Sequence, residues 1–527
     1  MDFDVIVIGS GFGGAITACR LAEAGYKVAI LERGRRWDKS TYPRKPDDPW
    51  IWNYDKPERM NGWLDLRVFP NMSVAQGAGV GGGSLLYANV SVEPPPETFK
   101  AGWPPEITYA ELKPHYERVA KFMNVQKVPD KQWNPRMKLM KEGAEKLGHG
   151  DRFKLLPLAI SFDPELTYDP ENPLPLEASK RFVNAQGVEQ GTCIHLGTCD
   201  IGCKVDARNT LDLNYIPWAE KHGAQVRPLH LVNNVEQVTG GFRVSFDRLE
   251  NNRRIAGSLT ARIVVVAAGS LGSTELLLRC RNVTKSLPQL SSFVGRNWSS
   301  NGDFLTPAIY AKREIHPTRG PTINTAIDFL DRTQEGQSFW IEDGGFPDLL
   351  GYNMRRQAGN PPPKESQAEI LIASIRDALR RDPFTNVMPW FAQAVDKADG
   401  TLSLKKQFWF FGAQRLHLSW NIKESEASIN AVVNMHKKLA EVTGGKALVP
   451  AGWLLSKDLI TPHPLGGCNM GDTPATGVVS HRGEAFGYKN LYVADAAIIP
   501  EALGVNPSRT IAALAERIAK IIIEEGR

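Results

Sequence analysis

Residues 4–34 read DVIVIGSGFGGAITACRLAEAGYKVAILERG, and this stretch decides the fold. Val5–Ile8 is a short apolar run, typical of a strand that is buried on both faces. Ala15–Ala24 is rich in helix-forming residues and is followed by a glycine, and Lys27–Leu31 is a second apolar run. The order strand, helix, strand predicts one unit of a parallel sheet.

The glycines between the first strand and the helix are spaced as G-x-G-x-x-G. Gly9 permits a tight turn, Gly11 lets the backbone approach a diphosphate, and Gly14 lets the helix pack close to the strand. The helix N-terminus attracts the anion, and Glu32 at the end of the second strand can accept the hydroxyl groups of a ribose. The pattern predicts a dinucleotide site but does not by itself decide between FAD and NAD(H).

The composition is that of an ordinary globular protein large enough for two or more domains. The chain has 527 residues, of which 42% are hydrophobic and 23% charged, with a formal net charge of +5. This charge is small for the length and does not indicate a nucleic-acid partner. Six cysteines fit a reducing compartment, and the strand at the start of the chain predicts no signal peptide, so we expect a cytoplasmic protein.

A second glycine-rich stretch, QGAGVGGGSLLYANV, covers residues 76–90. Five glycines within residues 77–83 allow the backbone to lie flat against a planar ligand or a diphosphate. The apolar continuation favours a ligand cradle over a flexible linker. Residues 35–71, just before it, contain four tryptophans and therefore predict an ordered excursion on the same domain.

Three cysteines lie close together in CIHLGTCDIGC, residues 193–203. Cys193, Cys199 and Cys203 could bind a metal ion or an iron–sulfur cluster, with His195 as a fourth ligand. The spacing is not that of a zinc ribbon, so a structural interpretation, small thiols in a tight turn, is favoured. A redox or disulfide role is a third interpretation, and no metal ligand is assigned.

The middle of the chain returns to the first domain. Helices are predicted at Tyr109–Met123 and Asn209–His222, and short strands follow around residues 225–246. Arg262–Ala268 is an apolar strand that runs into the turn GSLGS and a helix at Thr274–Leu278. This second crossing of strand, glycine turn and helix predicts another strand of the dinucleotide domain.

The third quarter of the chain favours an antiparallel sheet. Strands are predicted at Phe304–Tyr310, Thr322–Phe329, Ser338–Glu342 and Arg415–Ile422. Glu365–Arg381 has the apolar periodicity of an amphipathic helix. The aromatic runs at residues 383–391 and 408–411 fit two interpretations equally, namely the core of a second domain or the wall of a pocket for a large apolar substrate.

The last segment carries the most specific chemical features. His463 lies between two prolines in TPHPLGGC, and because proline fixes φ this histidine is expected on a stiff loop. Asp495 ends the apolar strand LYVAD and is expected beside the cofactor, and Asn506 precedes a C-terminal helix. A stiff histidine near the end of a dinucleotide fold is a candidate catalytic group.

These stretches occur together, in family order, over nearly the whole chain. GSGFGG with Glu32, GAGVGGGSLLYANV, AAGSLGSTELL, HPLGGC, LYVADAAIIP and GVNPSRT resemble the glucose–methanol–choline oxidoreductases, most closely their cholesterol oxidase branch. The resemblance implies an α/β fold: a Rossmann-like FAD-binding domain with a parallel sheet and a second α+β substrate domain built on an antiparallel sheet. It divides the chain into FAD-binding segments at 1–150, 231–300 and 461–527, a linking Cys-containing segment at 151–230 and a substrate domain at 301–460.

The resemblance also assigns roles to residues. His463 matches the histidine that binds the substrate hydroxyl and stabilises or accepts its proton, which could also leave toward Glu342. Asn506 matches the asparagine that contacts substrate oxygen and flavin. Glu342, in the looser motif FWIEDGGFP, matches a glutamate base. The alternative interpretation is an ordinary carboxylate at the end of a strand. Tyr87 departs from the asparagine of secreted relatives. The implied FAD-contacting residues are Gly9, Gly11, Phe12, Gly13, Gly14, Glu32, Arg33, Gly79, Gly83, Tyr87, Asn89, Val90, Val235, Ala268, Asp495, Ala496, Asn506 and Ser508.

The implied reaction is oxidation of a bulky secondary alcohol, a sterol-like apolar substrate, by hydride transfer to flavin N5. Movement of a proton by Glu342 within a β,γ-unsaturated ketone would add isomerisation. The electron acceptor, oxygen or another, stays open, as does peripheral contact with a membrane. The alternatives are a different alcohol with another acceptor, a flavin-binding module without turnover, and an NAD-dependent dehydrogenase, which is disfavoured because only the first turn fits it.

Overall fold

The fold was obtained as a computed structural model that describes residues 1–348, 384–406 and 414–526. The strands are β1 (Phe3–Ile8), β2 (Val28–Leu31), β3 (Leu64–Phe69), β4 (Met72–Gly77), β5 (Phe153–Leu155), β6 (Arg181–Val183), β7 (Glu189–Gly191), β8 (Gln225–Arg227), β9 (His230–Val238), β10 (Gly241–Glu250), β11 (Arg253–Val266), β12 (Phe304–Ile309), β13 (Thr325–Gln334), β14 (Gln337–Asp343), β15 (Val387–Ala394), β16 (Thr401–Lys406), β17 (Gln414–Ser419), β18 (Lys446–Ala447), β19 (Leu459–Thr461) and β20 (Leu491–Val493). The α-helices are α1 (Phe12–Glu23), α2 (Tyr109–Phe122), α3 (Pro135–Lys146), α4 (Tyr215–Lys221), α5 (Gly269–Asn282), α6 (Glu426–Val442), α7 (Ala451–Ser456) and α8 (Ser508–Glu525).

The first sheet has the strand order β8-β2-β1-β11-β10-β9, with β20 beside the end of β11. β1 pairs in parallel with β2 and with β11, and its residues from Val5 to Val7 are fully buried, as the continuous apolar run predicts. The long strand β11 changes partners along its length, because its first part pairs antiparallel with β10 and its last part pairs in parallel with β20. The prediction of an α/β fold with a central parallel sheet is confirmed.

The second sheet is antiparallel throughout, with the order β18-β12-β15-β14-β13-β5. Helices α3 and α6 pack on one face of it. The prediction that Arg415–Ile422 joins this sheet is wrong, because β17 pairs with β16 in a separate two-stranded sheet. The predicted helix Glu365–Arg381 and the aromatic run at 408–411 lie outside the described residues.

Helix α8 packs on α1 and α2, and α1 packs on β1 and β2 of the first sheet. α8 is amphipathic, and its buried Glu516 accepts hydrogen bonds from Arg20 on α1 at 2.8 to 2.9 Å. Tyr215 of α4 donates to the same carboxylate at 3.0 Å. The predicted helix Asn209–His222 is divided, because a 3-10 turn at Leu211–Leu213 precedes α4.

Helices long and apolar enough to cross a membrane are absent from the part of the chain that the structure describes.

Candidate active site

The glycines of the first turn have two different surroundings. A Cβ on Gly9, whose φ is +97°, would lie 2.3 Å from the Ala267 oxygen, and a Cβ on Gly14 would lie 2.0 Å from the Gly9 oxygen. Glycine is therefore required at both positions by close packing. A Cβ on Gly11 would meet nothing nearer than 3.9 Å, and one on Gly83 would meet nothing within 4 Å, because both residues open onto a cavity.

This cavity has a volume of about 890 Å³ and lies at the carboxyl ends of β1 and β2. It extends from the N-terminus of α1 to the face of the antiparallel sheet, where Phe391 of β15 lines it. The residues predicted from the sequence that line it are Gly9, Gly11, Phe12, Gly13, Glu32, Arg33, Gly83, Tyr87, Val90, Ala268, Asp495, Ala496, Asn506, Ser508 and His463. Its size and position are those of a site for a large cofactor with room for a second ligand.

Four residues predicted to contact the cofactor, namely Gly14, Gly79, Asn89 and Val235, are not among the residues that line the cavity, and their contact with FAD stays a prediction. Gly14 packs on Gly9, and a Cβ on Gly79 would lie 2.4 Å from the Trp37 ring. Asn89 has φ +65°, and its Oδ1 accepts a hydrogen bond from Arg208 Nε at 2.9 Å. Val235 lies in β9, where Val232 and Asn233 reach the cavity in its place, a register that the sequence pattern alone did not define.

Glu32 is held by the turn that it follows. Its Oε2 accepts hydrogen bonds from the nitrogen and Oγ of Ser10 at 3.1 and 2.7 Å, and its Oε1 accepts one from Gly34 N at 2.9 Å. The carboxylate lines the cavity although the residue is only 5% exposed. Beside it, the guanidinium of Arg33 lies 4.1 Å from the ring of Trp52, so the excursion predicted at 35–71 is ordered and forms part of the wall.

Asp495 ties two turns together at the end of β20. Its Oδ2 accepts hydrogen bonds from Gly269 N and Ser273 Oγ, and its Oδ1 accepts one from Ala497 N, all at 2.5 to 2.8 Å. Burial raises the pKa of this carboxyl, although these three donors oppose that shift. Asp495 therefore fixes the backbone beside the cavity.

His463 is held from behind by a buried carboxylate. Its Nδ1 lies 2.8 Å from Asp303 Oδ1, and its backbone nitrogen donates to Thr461 Oγ1 at 2.8 Å. Thr461 in turn donates to the second oxygen of Asp303. Burial of the ring opposes its charged form, but Asp303 and, less strongly, Glu342 outweigh burial and raise the pKa of His463.

Asn506 and Glu342 lie next to one another. Asn506 lies just before α8 and lines the cavity, and its Nδ2 is 3.5 Å from Glu342 Oε2. Glu342, on β14, is fully buried and does not reach the wall, because Trp340 Nε1 and Gln393 Nε2 donate to its two oxygens at 3.0 and 3.1 Å. Burial raises the pKa of Glu342 to about 7, although these donors lower it.

Two residues of the site were not found from the sequence, and both precede β12. Asn301 Oδ1 accepts hydrogen bonds from Leu503 N and Gly504 N at 2.9 and 3.0 Å, and its Nδ2 donates to Val505 O at 2.9 Å. Asp303, two residues later, holds His463. One short segment therefore anchors the loops that carry both Asn506 and His463. The only signal in the sequence was a polar SSNGD between apolar residues, which also fits an ordinary turn.

The cysteine segment at residues 193–203 is largely buried, and its Asp200 and Ile201 line the cavity. The thiols of Cys193, Cys199 and Cys203 are free, and burial raises their pKa values, that of Cys199 to about 11. His195 stacks on Tyr168 with ring centroids 4.0 Å apart, and burial lowers the pKa of this histidine to about 3. Within the described ranges, the one cluster with metal-ligand spacing is Glu171, Glu314 and His316, which includes none of these thiols. The burial of the three thiols and the stacking of the His195 ring favour the structural interpretation of this segment.

Comparisons with known proteins agree with this geometry. Residues 414–515 match the family model described as GMC oxidoreductase, and residues 7–42 match the NAD(P)-binding Rossmann-like domain. The chain is 30% identical over 99% of its length to a cholesterol oxidase of Acinetobacter baumannii, covering 94% of that protein. It is 31% identical over its whole length to a cholesterol oxidase of Mycobacterium tuberculosis (strain ATCC 25618 / H37Rv), covering 92% of it.

A likeness to solved structures supports the fold. Pyridoxine 4-oxidase from Mesorbium loti superposes with a TM-score of 0.62 at 15% identity, over 98% of each chain. The chain belongs to the glucose–methanol–choline oxidoreductase family, in its cholesterol oxidase-like branch, and is an FAD-dependent alcohol oxidoreductase.

Proposed function

We propose that this chain oxidises a bulky secondary alcohol of the 3β-hydroxysteroid class to the ketone. The observation that carries the proposal is the convergence of three groups on one cavity: the imidazole of His463, the amide of Asn506 and, behind that amide, the carboxyl of Glu342. An imidazole and an amide that line the same cavity are the groups expected to hold the hydroxyl oxygen of the substrate. The names of the two relatives above support the choice of a sterol.

The residues that line the cavity fit FAD. Gly11 and Gly83 leave open the space that side chains would occupy, and the unfilled N-terminus of α1 offers backbone N–H groups to a diphosphate. Buried Asn506 Oδ1 has no hydrogen-bond partner among the described residues, as expected for an atom that a bound ligand satisfies. Glu32 and Arg33 would hold the adenosine end, and Gly83, Tyr87 and Ala496 would hold the flavin end.

In the proposed reaction the protein groups position the alcohol and take up its proton. Bound FAD supplies the two-electron acceptor. Asn506 Nδ2 donates a hydrogen bond to the substrate oxygen, and His463 accepts the hydroxyl proton at Nε2, which faces the cavity because Nδ1 is bonded to Asp303. Glu342 would assist isomerisation only after turning away from Trp340 and Gln393, since in this arrangement both of its oxygens are bonded within the sheet.

The apolar character of the wall supports a large apolar substrate. Leu305, Ile323, Phe391 and Pro462 are apolar residues that line the same cavity as His463. We propose oxygen as the acceptor by analogy with the names of the relatives, and a cytoplasmic protein that contacts membranes at its periphery. Exposed Leu454 and Leu455 on α7 support that contact, being 61% and 87% exposed.

The test is anaerobic mixing of the purified holoenzyme with a panel of alcohols while the visible spectrum of the flavin is recorded. Cholesterol and dehydroepiandrosterone are expected to bleach the flavin, and a long-chain primary alcohol and benzyl alcohol are not. Repeating turnover with oxygen and with ferricyanide identifies the type of acceptor. Bleaching by the primary alcohols alone would favour a different alcohol dehydrogenase, and no bleaching by any alcohol would favour a flavin-binding module.

A further inference from the structure

The carboxylate of Asp303 lies directly behind His463 and is almost completely buried, with an exposed fraction of 1%. One of its oxygens is 2.8 Å from His463 Nδ1, and the other accepts a hydrogen bond from Thr461. Thr461 Oγ1 also accepts the backbone N–H of His463 at 2.8 Å. The three residues close a ring of hydrogen bonds that leaves the imidazole one orientation.

The hydrogen-bond chemistry of the ring fixes where its proton lies. A carboxylate oxygen only accepts, so the hydrogen bond to Asp303 requires the proton on Nδ1 of His463. Nε2 is then the unprotonated nitrogen, and within the described part of the chain no side chain bonds to it. His463 lines the cavity, so this lone pair is presented to a ligand.

Two carboxyl groups on different elements act on the imidazole. Asp303, which precedes β12, is hydrogen-bonded to the imidazole, whereas Glu342 on β14 acts on it only through its charge. Burial works against a charged ring, and the carboxylate in contact outweighs burial, so the pKa of His463 lies above its ordinary value. A base with a raised pKa takes up a proton readily inside an apolar cavity.

We propose that Asp303 is a positioning residue that holds His463 in the Nδ1–H tautomer, so that Nε2 accepts the proton of the substrate hydroxyl. This step rests on the proposed function. As the O–H bond breaks, its proton passes to Nε2 and the C–O bond becomes a carbonyl; bound FAD would supply the two-electron acceptor for the hydride that leaves the carbinol carbon. Asp303 touches neither substrate nor cofactor and acts only through His463.

The first test observes the resting holoenzyme and needs no substrate. Protein labelled with ¹⁵N-histidine is examined by long-range ¹H–¹⁵N NMR over a range of pH, with the His463 signal assigned from its loss in His463→Asn. The wild type is expected to show the Nδ1–H tautomer. Asp303→Asn is expected to lower the titration midpoint of His463 by about one to three pH units, because the opposite charge is removed.

Thr461→Val is the matched control, since it removes a hydrogen bond from the same ring of contacts but keeps the carboxylate. Its midpoint is expected to stay near that of the wild type. The Nε2–H tautomer in the wild type, or an unchanged midpoint in Asp303→Asn, would overturn the proposal. The wild-type tautomer decides the question even if Asp303→Asn does not fold.

The second test uses anaerobic flavin reduction by dehydroepiandrosterone as a function of pH. Asp303→Asn is expected to lower the limiting rate at least about tenfold. Because the neutral imidazole is the base, and its pKa falls when the carboxylate is removed, the acid limb of the profile should move to lower pH. A slower reaction with an unmoved acid limb would indicate a merely structural role. If no alcohol reduces the wild-type flavin, the proposed function fails, while the NMR result still decides the role of Asp303.

Discussion

At the scale of single residues, burial and hydrogen-bond partners decide what each carboxyl group can do. Glu342 is fully buried with only neutral donors around it, and its pKa is raised to about 7. Asp303 is equally buried, but it is bonded to an imidazole, and its effect appears as the raised pKa of His463. The two groups suit different tasks, since Glu342 can carry a proton near neutrality and Asp303 can orient an imidazole through a hydrogen bond.

Glu342→Gln is expected to separate the two proposed activities. The amide keeps the size of the side chain but cannot act as a base, so conversion of the 5-en-3-one to the 4-en-3-one should fall at least about 100-fold. Oxidation should fall less, because His463 and Asn506 are retained. The measurement is chromatography of both ketones after anaerobic turnover of cholesterol. In the wild type, isomerisation should rise with pH through about 7, where Glu342 loses its proton.

Glu342→Asp is the control that retains a base at a shorter reach, and it should keep part of the isomerase activity. Undiminished isomerisation in Glu342→Gln would exclude Glu342 as the base. Glu342 lies behind Asn506 and does not line the cavity, so its side chain must rotate before it can act as a base. The activity of Glu342→Gln therefore tests whether this rotation is used.

Residue identity in this site was predictable where a rigid local pattern encodes it. His463 lies between two prolines, and the glycines of the first turn have the spacing typical of a diphosphate-binding turn. Both signals are local, so each residue could be found from its neighbours in the sequence. Asp303 could not, because it contacts a residue 160 positions away, and nothing near it in the sequence indicates a histidine partner. The exact wall positions on β9 depended on pairing register, which the sequence pattern did not fix.

At the scale of elements, the segment before β12 determines the arrangement of the two C-terminal loops. Ser300 and Gly302 donate to the buried carboxylate of Asp396, and Asn301 and Asp303 face the loops of Asn506 and His463. Gly302 has φ +62°, and a Cβ there would lie 2.4 Å from Ala394 O, so the segment is pressed onto β15. It therefore links the antiparallel sheet to the loops that carry Asn506 and His463.

Asn301→Ala is expected to destabilise the protein by about 1–3 kcal/mol, because it leaves buried backbone groups of residues 503–505 without partners. It should also slow flavin reduction, since Asn506 follows this loop directly. Urea denaturation followed by tryptophan fluorescence measures the stability, and stopped-flow spectroscopy measures the rate. Asn301→Asp keeps the acceptor of the two N–H groups but loses the donor to Val505 O and adds a buried charge, so it should not restore stability. Equal behaviour of Asn301→Ala and the wild type would show that the loop is ordered without this side chain.

Helices and strands were predicted well where a regular pattern of apolar residues continues over most of the element. β1, α1, β2 and β14 were found within a few residues. Two kinds of error remain. β17 was assigned to the wrong sheet because strand pairing is a tertiary property, and the helix before β8 was predicted too long because Asn214, with φ −136° and ψ −78°, ends the preceding turn and caps a separate helix.

At the scale of the whole molecule, each sheet is assembled from distant parts of the chain. The first combines β1 with β11 and β20, and the second combines β5 with β12 and β18. The cavity lies where the two sheets approach, and its wall includes residues from the N-terminal turn, from β15 and from the start of α8. A ligand that fills this cavity touches both halves, so its binding should couple their stabilities.

Added FAD is accordingly expected to raise the unfolding temperature of protein from which FAD has been removed. A ligand that binds only the folded state contributes about 2.7 kcal/mol at a free concentration of 100 times its dissociation constant, and the effect grows with concentration. Differential scanning calorimetry at several FAD concentrations measures the shift, with NAD⁺ at the same concentrations as the control. If FAD fills the cavity as far as Phe391 on β15, any two phases of the unfolding transition should shift together. A shift of one phase alone would mean that the ligand is held by the Rossmann-like half only, and a larger shift with NAD⁺ would contradict the choice of cofactor for this cavity.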